Sequence, residues 1–109
     1  LSDHRTDKAS LARAHELAKR FQRSDIPQFK DTLGWATYRI GKAGDAAQLL
    51  EDATKRLPDL PVFRYHLGMS YLAMKKPDAA RKELEKALTL GEGKEFLEAE
   101  QAKQALKGL

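Results

Sequence analysis

The chain has 109 residues, 41% of them apolar and 33% charged, with a formal net charge of +4. That is the size and composition of one ordinary globular domain; the lack of cysteine excludes disulfides and thiolate sites, and no run approaches the ~18 apolar residues of a membrane helix. Acids and bases interleave, as in Arg81-Lys82-Glu83-Leu84-Glu85-Lys86, which reads as solvated helix faces and not as a one-sign nucleic-acid stripe; the one short basic run is Lys19-Arg20-Phe21-Gln22-Arg23.

The first predicted helix spans residues 7–23, where Leu11, Ala14, Leu17, Ala18 and Phe21 recur at helical spacing. Pro27 then suits the first turn of a helix over about 27–40, since its missing N–H would be unpaired there anyway. Gly41-Lys42-Ala43-Gly44 reads as a turn, followed by a helix at about 45–57. Pro58-Asp59-Leu60-Pro61 repeats the Asp-x-Pro boundary of Asp25-Ile26-Pro27, and helices at about 61–74 and 77–90 follow. Gly91-Glu92-Gly93 breaks the chain before a last helix at 94–107.

Two of these segments are one segment repeated. Residues 27–57 lie over 61–91 without a gap, matching Pro27/Pro61, Phe29/Phe63, Leu33/Leu67, Gly34/Gly68, Lys42/Lys76, Ala46/Ala80, Leu50/Leu84, Glu51/Glu85 and Ala53/Ala87. A fixed period in this range marks a helical solenoid. The predicted core stripe of the first helix in each copy is Phe29, Leu33, Thr37, Ile40 and then Phe63, Leu67, Tyr71, Met74. The second helix supplies Ala46, Leu50, Ala53, Leu57 and then Ala80, Leu84, Ala87, Leu90. Gly34 and Gly68 sit beside the stripe, where a small residue lets two helices approach closely.

Leu33-Gly34, Ala46, Ala53 and Pro58, followed by Leu67-Gly68, Tyr71, Ala80 and Ala87, resemble the tetratricopeptide repeat. The pattern departs from the family where Lys30 and Arg64 stand in place of its tryptophan and where Thr37 stands in place of one tyrosine. The resemblance implies an all-α, right-handed superhelix of antiparallel hairpins with about six helices. It divides the chain into an N-terminal helix belonging to an upstream repeat (1–26), two repeats (27–60 and 61–93) and a C-terminal capping helix (94–109). The opening Leu1 reads as a cut from a longer protein, with any targeting signal left upstream. Asp31-Thr32-Leu33-Gly34-Trp35 with Tyr65-His66-Leu67-Gly68 further resembles the C-terminal repeats of large bacterial proteins tied to cell-envelope or exopolysaccharide export, which implies a periplasmic or envelope setting, with the cytoplasm as the alternative.

The first helix of each repeat also carries a second stripe: Gln28, Asp31, Trp35 and Tyr38, then Val62, Tyr65, Met69 and Leu72. A helix apolar on two faces must cover both or expose one. The resemblance places these positions on a concave groove that binds extended or helical peptides. The expected site is therefore Gln28, Asp31, Trp35, Tyr38, Arg39, Val62, Tyr65, His66, Met69 and Leu72, with Asp31 and Arg39 on the rim and His66 a polar groove or surface residue. Packing against neighbouring helices, or cover by an upstream repeat, is the alternative, above all for Trp35 and Tyr38 and less for Met69 and Leu72. Family members that grip a terminal carboxylate carry Lys and Asn where this chain has Asp31/Trp35 and Tyr65/Met69, so that clamp is not expected.

Nothing in the sequence points to catalysis. His4, His15 and His66 are isolated and lack metal-ligand spacing. Ser2, Ser10, Ser24 and Ser70 lie in no nucleophile motif, and Gly41-Lys42 and Gly93-Lys94 in no phosphate loop. Glu98 and Glu100 read as solubilising charge on a terminal helix. The expectation is a non-enzymatic scaffold without metal or cofactor that binds a protein or peptide, does not bind nucleic acid and does not insert into a membrane; self-association is the alternative.

Overall fold

A computed structural model describes residues 26–109, which form five helices. They are α1 (Pro27–Arg39), α2 (Ala43–Arg56), α3 (Pro61–Ala73), α4 (Pro77–Gly91) and α5 (Ala99–Lys107). The helix expected at 7–23, with Leu11 and Phe21, lies outside the described residues. No strand occurs among the described residues, and no helix there is long and apolar enough to cross a membrane.

Proline starts three of the helices. Pro27, Pro61 and Pro77 occupy the first turns of α1, α3 and α4, where a fixed φ favours the helix and no N–H is lost. The two hairpin turns close alike. Gly41 N donates to Tyr38 O at 3.0 Å and Lys42 N to Thr37 O at 3.0 Å; Lys75 N donates to Leu72 O and Lys76 N to Tyr71 O, both at 3.0 Å. This is the Schellman closure, which needs a left-handed residue. Gly41 supplies it with φ 94°, and at the equivalent place Lys75 is held at φ 60°.

α1 packs on α2 and α3 on α4, forming two hairpins; α2 packs on α3, α4 on α5, and α1 also touches α3. The core follows the predicted stripes in part, with Ile40, Leu57, Tyr71, Met74 and Leu90 only half-buried. Leu33, Thr37, Ala46, Leu50 and Ala53 are buried, as are Phe63, Leu67, Ala80, Leu84 and Ala87. Each glycine of the Leu-Gly pairs lies against a leucine of the partner helix: a Cβ on Gly34 would stand 2.7 Å from Leu50 Cγ, and one on Gly68 2.8 Å from Leu84 Cγ. Close approach is thus set by Gly34/Leu50 and Gly68/Leu84, with Ala46 contributing its backbone oxygen at 3.4 Å from that Gly34 Cβ.

Four expectations need correction. Phe29 is 49% exposed, whereas Phe63, on a helix with α2 packed against it, is 4% exposed. Gly44 is helical, so α2 starts at Ala43 and not at 45. Gly91 is the last residue of α4 and not part of the break. The last helix begins at Ala99 and not at 94: Gly93 turns left-handed at φ 71° and Phe96 folds back onto Gly91, so 92–98 form a loop.

The basic residues at the family's tryptophan position also find a reason. Lys30 pairs with Asp52 on α2, and Arg64 Nη1 meets Glu83 Oε1 on α4 at 3.0 Å while its Nε donates to Pro58 O at 3.0 Å. Each cation therefore ties the first helix of its hairpin to the second.

A candidate protein-binding groove

The residues of the second stripe do not share one environment. On α1, two helical turns bring Asp31, Trp35 and Tyr38 onto the face that meets α3. Trp35 stacks on Tyr38, with ring centroids 4.7 Å apart, and on the other side over His66 of α3 at 4.0 Å. Tyr65 tilts against Trp35 at 5.7 Å and meets Phe96 edge-on at 6.5 Å. The result is an aromatic layer crossing both repeats and reaching the loop before α5.

Asp31 and His66 anchor this layer. His66 Nδ1 lies 2.8 Å from Asp31 Oδ1, and both residues are buried, at 8% and 7% exposure. A carboxylate only accepts, so Nδ1–H donates and fixes the ring. Sequence reasoning put Asp31 on a polar rim and His66 on a polar groove or the surface; both are instead buried, because pairing satisfies the imidazole N–H and the carboxylate that burial would otherwise leave stranded. His66 thus has the orienting partner that a catalytic base needs. Ser70, one turn on, is fully buried and its Oγ donates to His66 O at 3.1 Å within the helix, so it is not poised as a nucleophile. Among the described residues no group of three or more His, Cys, Asp or Glu side chains could hold a metal ion.

Tyr65 is also buried, at 6% exposure, and sits in a cluster with Leu84, Ala87 and Ala102. Burial, helped by Tyr38 and Glu98, raises the pKa of its phenol above the usual tyrosine value. Packing against neighbours therefore accounts for much of the aromatic set. Trp35 packs on this second cluster, and Tyr38 on the first, formed by Ala46, Ala47, Leu50 and Leu67. Gln28 and Arg39 are exposed and Val62 half-buried.

What remains open is a groove of 570 Å³ between α3 and α5, lined by Tyr65, Met69, Leu72, Glu100, Gln101, Gln104 and Ala105. Three of the ten expected residues line it. Its α5 wall was missed by sequence reasoning. Carrying the 34-residue period forward would put Phe96, Ala99, Lys103 and Leu106 on the groove face. The loop at 92–98 changes the register, so α5 instead turns Glu100, Gln101, Gln104 and Ala105 toward α3. Ala99 and Lys103 face a smaller cleft of 280 Å³ with Leu88, Gly91 and Phe96, while Ala102 is fully buried in the core. Signals for this were present in Gly93 and in the five-residue spacing from Gly91 to Phe96, but nothing local states that a phenylalanine will fold back onto a glycine.

Helical hairpins on a 34-residue period, with small residues at the close contacts, make this an all-α helical repeat whose architecture is consistent with the tetratricopeptide repeat. Known proteins agree. Residues 41–92, which span α2 to α4, match the family model of the tetratricopeptide repeat. The chain is also similar to a TPR repeat-containing protein of Pseudomonas aeruginosa, at 40% identity over 58 residues. That alignment takes in 53% of this chain and 9% of the relative, so the chain spans a small part of that protein's length.

Proposed function

We propose that this chain is an interaction scaffold that holds a peptide or helical segment of another protein in the groove between α3 and α5. Tetratricopeptide repeats generally mediate protein–protein interaction. The observation that carries the reading here is the groove itself: Met69 and Leu72 are half-buried and line an open cleft with Tyr65, whereas Trp35 and Tyr38 do not line it. An adaptable methionine beside an aliphatic anchor suits a surface that must accept a partner side chain. Cross-linking in cells tests it. A photoreactive residue at Gln104, in the groove, yields a protein adduct that the same probe at the exposed Gln48 does not, and Met69→Glu removes the adduct. Equal labelling at both positions would sink the reading.

The finer assignment, to an export or envelope assembly, is supported by the resemblance of the Asp31–Trp35 and Tyr65–Gly68 segments to such bacterial proteins. The Gln104 adduct tests this as well: envelope components as partners support it, and soluble cytoplasmic partners alone exclude it. Self-association is the competing reading, favoured by Leu97, a large apolar side chain 80% exposed beside α5. It predicts a mass that rises with concentration in light scattering and falls to the monomer in Leu97→Asp.

A further inference from the structure

The groove has two unlike walls. Tyr65, Met69 and Leu72 on α3 make one apolar wall, and Glu100, Gln101 and Gln104 on α5 make the other polar. The chain as a whole is basic, with a net charge of +4, yet the described lining holds a carboxylate and no cation. A second carboxylate, Glu98, lies two residues before Glu100 and near enough to Tyr65 to act on its phenol. Among the described residues neither glutamate has an ion-pair partner, whereas Asp31 is taken by His66 and Glu83 by Arg64. The cation of α5 nearest in sequence, Lys103, faces the opposite cleft.

A bland account exists for part of this. Carboxylates in the first turn of a helix are favoured by its dipole, and Glu98 and Glu100 flank the start of α5. That account explains the residue type but not the juxtaposition with an open apolar wall. From that juxtaposition we infer that the groove's occupant is a protein segment with an apolar anchor beside a lysine or arginine, the anchor seated on Met69 and Leu72 and the cation on Glu98 and Glu100. The inference rests on the groove being the binding site, and it adds the charge of the partner.

Selection from a display library of random peptides tests both parts separately. The folded chain is immobilised, and binders are counter-selected against Met69→Glu and, independently, against Gln104→Trp, an exposed position whose bulk fills the groove without touching the core. Peptides that depend on the groove are expected to be enriched in Lys or Arg beside Leu, Met or Phe. For such a peptide, Glu98→Gln and Glu100→Gln each weaken binding about twofold to fivefold, in the range of exposed ion pairs, with helicity unchanged. The loss shrinks as salt is raised past a Debye length of about 8 Å. Groove-dependent peptides that are neutral or acidic would overturn the charge assignment and leave the groove reading standing. Binders indifferent to both groove variants would overturn the two together. A wild-type chain that dimerises through the groove, by light scattering with and without Gln104→Trp, would make a second copy the occupant and also overturn the assignment.

Discussion

A Cβ added to Gly68 would lie 2.8 Å from Leu84 Cγ, 2.9 Å from Leu84 Cδ2 and 3.3 Å from the Leu84 backbone nitrogen. Leucine cannot yield at Cγ without moving α4, so overpacking of about 1–3 kcal/mol opposes a helix-propensity gain of about 1 kcal/mol. Gly68→Ala is therefore expected to lower stability in urea melts by up to about 2 kcal/mol. Gly44→Ala, with nothing within 4 Å of its Cβ and a helical backbone, is expected to raise it by up to about 1 kcal/mol. Equal signs for the two would mean that propensity, not contact, governs these glycines. The Asp31–His66 pair makes a second case. Either alanine substitution strands a buried partner, at about 1–3 kcal/mol; Asp31→Ala frees the ring stacked 4.0 Å from Trp35, and His66→Ala removes it. Asp31→Ala and His66→Ala should each destabilise and shift Trp35 fluorescence, and the double variant should lose much less than the sum, since the pair acts as one unit. Additive losses would dissolve the pair as a unit.

Elements obey the repeat where the contacts are local. The two Schellman turns share both closing hydrogen bonds, yet one has glycine and the other Lys75 at φ 60°. A left-handed non-glycine residue costs roughly 1–2 kcal/mol, which glycine avoids at the expense of a more flexible unfolded chain. Lys75→Gly is expected to raise the thermal midpoint and Gly41→Ala to lower it, both read by circular dichroism. Helix order, the middle of the core stripes and the place of Gly34 and Gly68 beside them were legible in the sequence because each rests on helical spacing repeated twice at one period; that Leu50 and Leu84 are the residues they meet was not. The groove was legible only on its α3 side, at Tyr65, Met69 and Leu72. Two things hid the rest. Asp31 and His66 are 35 residues apart, and polarity alone gives no sign that they bury each other. The α5 wall depends on Phe96 settling over Gly91, which shifts the helix start to Ala99 and turns Glu100, Gln101 and Gln104 toward α3. Periodicity does not extend across a loop that breaks the period.

At the scale of the whole molecule, tyrosines connect the hairpins and set a limit at high pH. Burial, together with a hydrogen bond to Glu51 of the preceding helix, raises the Tyr71 phenol well above its ordinary value, and burial raises that of Tyr65. The folded chain thus holds these protons more tightly than the unfolded chain, whose tyrosines titrate near 10.0. A raised folded pKa contributes stability that is complete below the unfolded value and is lost as pH climbs past it, because only the unfolded state then releases the proton. Thermal midpoints should hold level from neutral pH to about the ordinary tyrosine pKa and fall above it. Lysines titrate in the same region, near 10.4, so the decline needs a control. Tyr71→Phe removes one phenol and is expected to make the alkaline decline shallower while lowering the neutral midpoint through the lost bond to Glu51. A variant whose alkaline slope equals that of the wild type would assign the decline to the lysines. Because Tyr65 also lines the groove and faces Glu98, the same titration followed by tyrosinate absorbance, with and without a selected basic peptide, joins stability to binding. A peptide cation placed between Glu98 and the phenol would ease ionisation of Tyr65 and move its absorbance step to lower pH; a peptide bound away from that wall would leave the step where it was.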